Sequence, residues 1–178
     1  MKNTITLFGR RINLQQLQQL ISDILIPAET VYHDLNKQIQ EALQHGVDEK
    51  AAYNIPKTLA PIFNRYKRAL QLYQEYQQLY GTPRADYICT LAKPSYHQHI
   101  AHFICGTTSE KQENAHTKYC VALGKSKKKP TPTEKPQNIL HLVCGCPDHT
   151  NRGGSIPCKH VLFACMWLRD YMVGMYRD

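Results

Sequence analysis

Residues 144 to 160 read CGCPDHTNRGGSIPCKH, and they restrict the fold more than any other part of the chain. Three cysteines and a histidine stand as two pairs, Cys144 with Cys146 and Cys158 with His160, inside seventeen residues of a 178-residue chain that holds seven cysteines in all. One residue separates the members of each pair. In an extended strand, residues i and i+2 project to the same side, so Cys144 and Cys146 can offer two sulfurs to one ion, and Gly145 lets the backbone bend between them. Inside a regular helix the same spacing puts side chains about 200° apart. Cys158 and His160 therefore need a boundary, and Pro157 supplies one by holding the chain out of helix just before Cys158. The spacing predicts a strand end clipped to a helix start.

Three thiolates and one imidazole form a closed tetrahedral set for Zn2+, with sulfur at roughly 2.3 Å and nitrogen at about 2.0–2.1 Å, and leave no position open for substrate. The expectation is one structural zinc ion on Cys144, Cys146, Cys158 and His160, and a protein that is not an enzyme. His149 and Cys165 lie close enough in sequence to compete for the fourth place, although Cys165 falls inside an apolar helix and reads as core. The ligand order, the fragments CPD, RG and PCKH, and the apolar run VLFACMWL that follows resemble the SWIM zinc fingers over the 25 residues from Cys144 to Leu168. The resemblance implies a ββα zinc fold that in the family serves DNA or protein binding, often within assemblies for recombination, transposition or chromatin remodelling.

Seven cysteines is an odd number, and in a reducing compartment such thiols are metal ligands or small buried hydrophobes more often than disulfides. The longest apolar run, at 161 to 168, is well short of the roughly 18 residues a membrane span requires. The opening MKNTITLFGRRINLQQ has no signal-peptide pattern. Together these predict a protein that stays in the cytoplasm, or in the nucleus of a cell that has one, with no membrane partner and no small-molecule substrate.

Along the chain the pattern changes once, near residue 82. Before it the spacing predicts helices: Leu14, Leu17, Leu20, Ile21, Ile24 and Leu25 recur at helical intervals after Asn13 as N-cap, and Pro27 is expected to end the run. A second helix is expected from about Glu29 to His45, stopped by Gly46, and a third from Pro56 or Pro61 to Gly81. In the third, Leu59, Tyr66, Tyr73 and Tyr80 are spaced by seven. That stripe reads as core, with base stacking as the rival reading. After residue 82 come short β-like pieces, DYICTLA, HQHIAHFICG, TKYCVALG and NILHLVCG, of which IAHFIC also admits a helix. GKSKKKPTPTEKP, residues 124 to 136, is expected as a long exposed hairpin loop. The fold class is α+β: a helical lobe at 1–81, then at 82–178 a small antiparallel sheet with a ββα-type Cys3His module, its zinc site at 144–160 and its last helix at 161–176.

The net charge of +8 is unevenly placed: residues 81 to 178 carry thirteen Lys and Arg against seven Asp and Glu, whereas residues 1 to 80 carry nine against seven. A basic second half is compatible with a polyanionic partner. The candidate phosphate contacts are Lys125, Lys127, Lys128 and Lys129, with Lys135, Arg152, Lys159 and Arg84 extending the patch if the fold gathers them. These features predict a nucleic-acid-binding subunit of a larger assembly. The alternative is a protein–protein adaptor that docks through the last helix, which is apolar nearly all round and must be buried on more than one side or await a partner. His97, His99 and His102 raise the question of a second metal site or a general base. Cys89, Cys105 and Cys120 read as single thiols in apolar strands, without the glycine-rich oxyanion loop that a Cys–His nucleophile needs.

Overall fold

A computed structural model of the protein describes residues 3–106, 118–127, 132–133, 138–151 and 155–176. The chain opens with an antiparallel hairpin, β1 (Thr4–Leu7) and β2 (Arg10–Asn13), in register Leu7 to Arg10 and Thr4 to Asn13. The two turn residues, Phe8 and Gly9, have φ of 50° and 76°, the left-handed pair that a two-residue hairpin turn requires. This hairpin departs from the all-helical reading of residues 1–81, because strands of four residues are too short for their alternation to stand out. Ile5, Leu7 and Ile12 face inward and are buried.

Helix α1 (Leu14–Gln44) starts as expected, with the Asn13 side chain accepting a hydrogen bond from the Gln16 amide at 3.0 Å. It then runs through Pro27 for 31 residues, where a stop was expected. Proline at this place removes the N–H that would meet the Asp23 carbonyl. Pro27 is exposed, however, so water can satisfy that carbonyl. The buried stripe Leu17, Ile21, Leu25 and Ala28 continues in phase to Tyr32, whose ring packs 5.1 Å from Phe63 and 4.9 Å from Tyr66. Packing along the unbroken stripe outweighs the proline. Gly46, with φ of 78°, ends the helix.

A single turn, α2 (Glu49–Ala52), leads to α3 (Ala60–Leu79), which has Pro61 in its first turn. Tyr66, Tyr73 and Tyr76 are buried on α3, so these members of the tyrosine stripe are core, while Tyr80 is half exposed. The Tyr73 hydroxyl donates to Asp170 and lies 2.7 Å from the Tyr176 hydroxyl. Burial, followed by those hydrogen bonds, pushes the Tyr73 phenol far above its ordinary range.

After the turn α4 (Ala85–Ile88) come the four strands β3 (Cys89–Ala92), β4 (His99–Cys105), β5 (Tyr119–Lys127) and β6 (Asn138–Cys144), an antiparallel meander in sequence order. Strand β5 extends to Lys127, pairing Gly124 through Lys127 with His141 through Asn138. The start of the expected loop is therefore strand. Its lysines alternate with smaller residues, which a half-solvated strand tolerates. The turn α5 (Pro147–Thr150) and helix α6 (Lys159–Met172) complete the chain. Every residue of α6 from His160 to Leu168 is buried, between the inner sheet face and helices α1 and α3. The helix ends four residues sooner than expected, at a turn containing Gly174 with φ of 93°. One continuous hydrophobic cluster joins the hairpin, the helices and the sheet. No helix among the described residues is long and apolar enough to cross a membrane.

Replacing the exposed Pro27 with Ala restores the missing helical hydrogen bond, and is expected to raise stability by about 1–2 kcal/mol. The increase would appear as a higher urea midpoint at unchanged slope; an unchanged or lower midpoint would show that α1 needs the proline.

Candidate metal centre

Three elements converge on the Cys-His cluster. Strand β6 ends at Cys144, and the next amide, Gly145, donates to the Cys120 carbonyl at 3.2 Å, holding the strand end against β5. Cys146 is the N-cap of α5. Cys158 is the N-cap of α6, extended at φ −75° and ψ 165°, as the preceding proline predicts, and His160 is the second residue of the helix. Cys144 Sγ, Cys146 Sγ, Cys158 Sγ and a His160 ring nitrogen all lie within 4.8 Å of one another. Among the described residues no other group of three or more His, Cys, Asp or Glu side chains is arranged to hold a metal ion.

The chemistry of the cluster fits an ion. All four side chains are buried, the most exposed being His160 at 3%. His160 Nδ1 points inward, 3.7 Å from Cys144 Sγ, which makes it the candidate ligand atom, while its Nε2 is buried without a hydrogen-bond partner. Backbone amides are directed at two of the sulfurs: Cys146 N–H to Cys144 Sγ at 3.4 Å, and Val161 N–H to Cys158 Sγ at 3.5 Å. Amides so placed favour thiolates. The Cys158 thiol is held down to about 4, first by its hydrogen bond with Cys144, then by His160 and the Val161 amide, which together outweigh its burial. Cys144 is pushed up, first by the same sulfur pair and then by burial. Closely packed sulfurs that share protons in this way are what a cation displaces.

The neighbourhood is braced from α3. The Arg65 guanidinium, only 9% exposed, donates to the Asp148 carboxylate at 2.6 Å, tying α3 to the turn that follows Cys146. Nothing local in the sequence marks Arg65, which lies 83 residues from its partner. The Tyr119 ring sits 5.3 Å from that of His160. Of the two competitors for the fourth ligand place, Cys165 is fully buried in α6, where burial pushes its thiol up, and neither it nor His149 belongs to the cluster.

Among the described residues, Lys125 and Lys127 lie away from this centre, whereas Lys159 stands within it, between Cys158 and His160. Val121 on β5 pairs with Cys144, so Lys127 lies six residues further along the strand, roughly 20 Å away. Lys125 donates to the Arg11 carbonyl at 3.0 Å, Lys127 is exposed, and Lys159 is half-buried in the first turn of α6. Lys128, Lys129, Lys135 and Arg152 lie outside the described residues. His99 and His102 share a hydrogen bond at 2.7 Å. Cys89 and Cys105 prove to be cross-strand neighbours, buried, with their sulfurs 3.9 Å apart, a meeting that their sequence positions do not reveal. No family model, curated protein or solved structure matches the chain.

Changing Cys158 to Ser is expected to abolish stoichiometric metal binding and to lower the melting temperature, because binding and local folding share one free energy. His149→Ala is expected to keep the metal. Metal analysis of both purified variants checks the assignment, and loss of metal from the His149 variant would show that His149 is a ligand.

Proposed function

We propose that this chain is a non-enzymatic accessory subunit that holds one structural Zn2+ and binds the backbone of DNA or RNA within a larger nucleic-acid-processing assembly. The observation that carries the zinc half is the buried, closed donor set of three sulfurs and one imidazole within 4.8 Å. Soft thiolates in a tetrahedral S3N arrangement select zinc over hard, oxygen-seeking cations. With four protein donors the ion keeps no open position, so its contribution is to fold rather than to chemistry. The ligand order and the fragments that resemble SWIM zinc fingers support the same reading.

The nucleic-acid half is supported by charge. The surplus of cations lies in residues 81 to 178, and the Lys125 side chain bonds the Arg11 carbonyl, which brings this end of β5 against the hairpin that carries Arg10 and Arg11. Contacts to phosphates position a protein without reading bases, so little sequence selectivity is expected. The adaptor alternative has less surface to use: α1 and α3 cover the apolar part of α6, and beyond its end Val173 and Met175 remain exposed.

Two measurements test the proposal. Metal analysis of the purified protein is expected to return one zinc per chain. Fluorescence anisotropy of labelled DNA and RNA across a salt series is expected to show binding that weakens with salt, with a smaller salt slope when Lys125, Lys127, Lys128 and Lys129 are changed to Ala. Absence of binding at low salt would overturn the nucleic-acid reading and leave the zinc site standing.

A further inference from the structure

Where β5 and β6 run past the start of β4, the end of the sheet carries a groove that the metal centre does not use. Its volume is about 540 Å³, and His97, His99, Lys125, Lys127, Asn138 and His141 line it. Leu123 and Leu142 belong to the core, so their strand neighbours Gly124 and His141 project to the opposite, outer side. Gly124 pairs with His99 on one side and His141 on the other, which sets two imidazoles across a position that has no side chain. A Cβ at Gly124 would meet His141 Nε2 at 2.7 Å, so the glycine is what allows that ring to lie over the strand. The Nδ1 of the same ring is buried without a hydrogen-bond partner.

Histidines gathered in this way invite comparison with a transition-metal site, but the surroundings favour an anion. Lys125 and Lys127 share the side of Leu123, opposite to that of His141, and line the other wall of the groove. Arg10 reaches its rim, donating to the Tyr96 and His97 carbonyls at 3.0 and 3.1 Å. No Asp or Glu lines the groove among its described residues. Three fixed cations and no carboxylate oppose a divalent metal and attract phosphate. Beside the groove the sheet offers flat and apolar surface: the Tyr96 ring, 67% exposed, meets His99 edge-on at 5.5 Å, and Ile139 and Val143 are exposed on the same side as His141. Phosphate-seeking cations beside exposed rings are the two components of a site for unpaired nucleic acid, whose bases are free to stack. A duplex hides those faces.

We propose that this groove at the end of the sheet binds a single strand of nucleic acid passing from one face to the other, with phosphates against Arg10, Lys125 and Lys127 and bases against Tyr96, His99 and His141. This rests on the nucleic-acid reading above and names its substrate class and surface. The test is anisotropy with labelled single-stranded and duplex oligonucleotides of one sequence, using zinc-loaded full-length protein and the variants Tyr96→Ala, Gly124→Val and Lys127→Ala. Zinc content and melting temperature are measured beside each variant to establish that it is folded; Tyr96 is exposed enough for its removal to leave the core intact. The wild type is expected to prefer the single strand. Tyr96→Ala is expected to weaken binding about 5- to 100-fold without changing the salt slope, as loss of one stacked base does. Lys127→Ala is expected to reduce the salt slope by about 0.7. Gly124→Val, which fills the groove floor, is expected to weaken the single-strand complex as Tyr96→Ala does. Salt-dependent binding that favours duplex, or that is indifferent to Tyr96 and Gly124, would overturn this surface while leaving the broader function in place. Failure of the wild type to bind any oligonucleotide at low salt would overturn both.

Discussion

The structure depends on the burial of a helix that has no polar side. From His160 to Leu168 every residue of α6 is buried, so the helix must be enclosed from several directions. The sheet covers one of them with Phe103, Val121, Leu123 and Leu142, and α1 and α3 cover the others. This demand explains the length of α1: a helix that stopped at Pro27 would leave Tyr32 unable to reach Phe63 and Tyr66, and would leave α3 without part of its support. It also explains why the tyrosines of α3 are core. Tyr73 and Tyr76 both meet Phe163 edge-on, at 5.4 and 5.5 Å, and so serve as the lining of α6.

An enclosed helix still needs its start fixed, and the Cys-His cluster lies where that is decided. Cys158 caps α6 and His160 occupies its first turn, while Cys144 ends β6. The amides at a helix start and the aligned peptide dipoles favour negative charge there, which suits a thiolate at Cys158. The same group can therefore be a helix cap and a metal ligand without conflict. Arg65 adds a second anchor by holding Asp148 from α3, so the segment between the two ligand pairs is tied to the helical layer as well as to the sheet.

Much of this was legible in the residues, for reasons that differ from one element to the next. The Cys-His cluster could be read because spacing, one residue between the members of each pair and proline before the second, determines which backbone can bring the four side chains together. The burial of α6 could be read because its composition admits nothing else. The opening hairpin could not, since Ile5, Leu7 and Ile12 provide too few alternations to compete with the helical pattern that follows. Pro27 misled because a local steric rule was set against a stripe that remains in phase on both sides of it, and the rule is the weaker of the two when the proline faces solvent. Arg65 and the pairing of Cys89 with Cys105 are products of long-range register, to which no short window of sequence has access. The histidines at 97, 99 and 102 stand out within one short stretch, but their neighbour His141 belongs to a strand whose placement beside Gly124 only the sheet reveals.

Strand β6 connects the interior of the molecule with its outer face. Leu140, Leu142 and Cys144 point into the core, whereas Ile139, His141 and Val143 point out. A slip of one residue would exchange the two sets, exposing leucines and burying a histidine. Hydrophobic pattern resists such a slip, and an ion on Cys144 would resist it more strongly, because the sulfur must stay within reach of Cys158 and His160 on another element. Pinning Cys144 also pins His141 opposite Gly124, three residues back along the same strand. A metal deep inside the protein would thus govern the geometry of a groove it never touches, through the backbone of the one strand the two sites share.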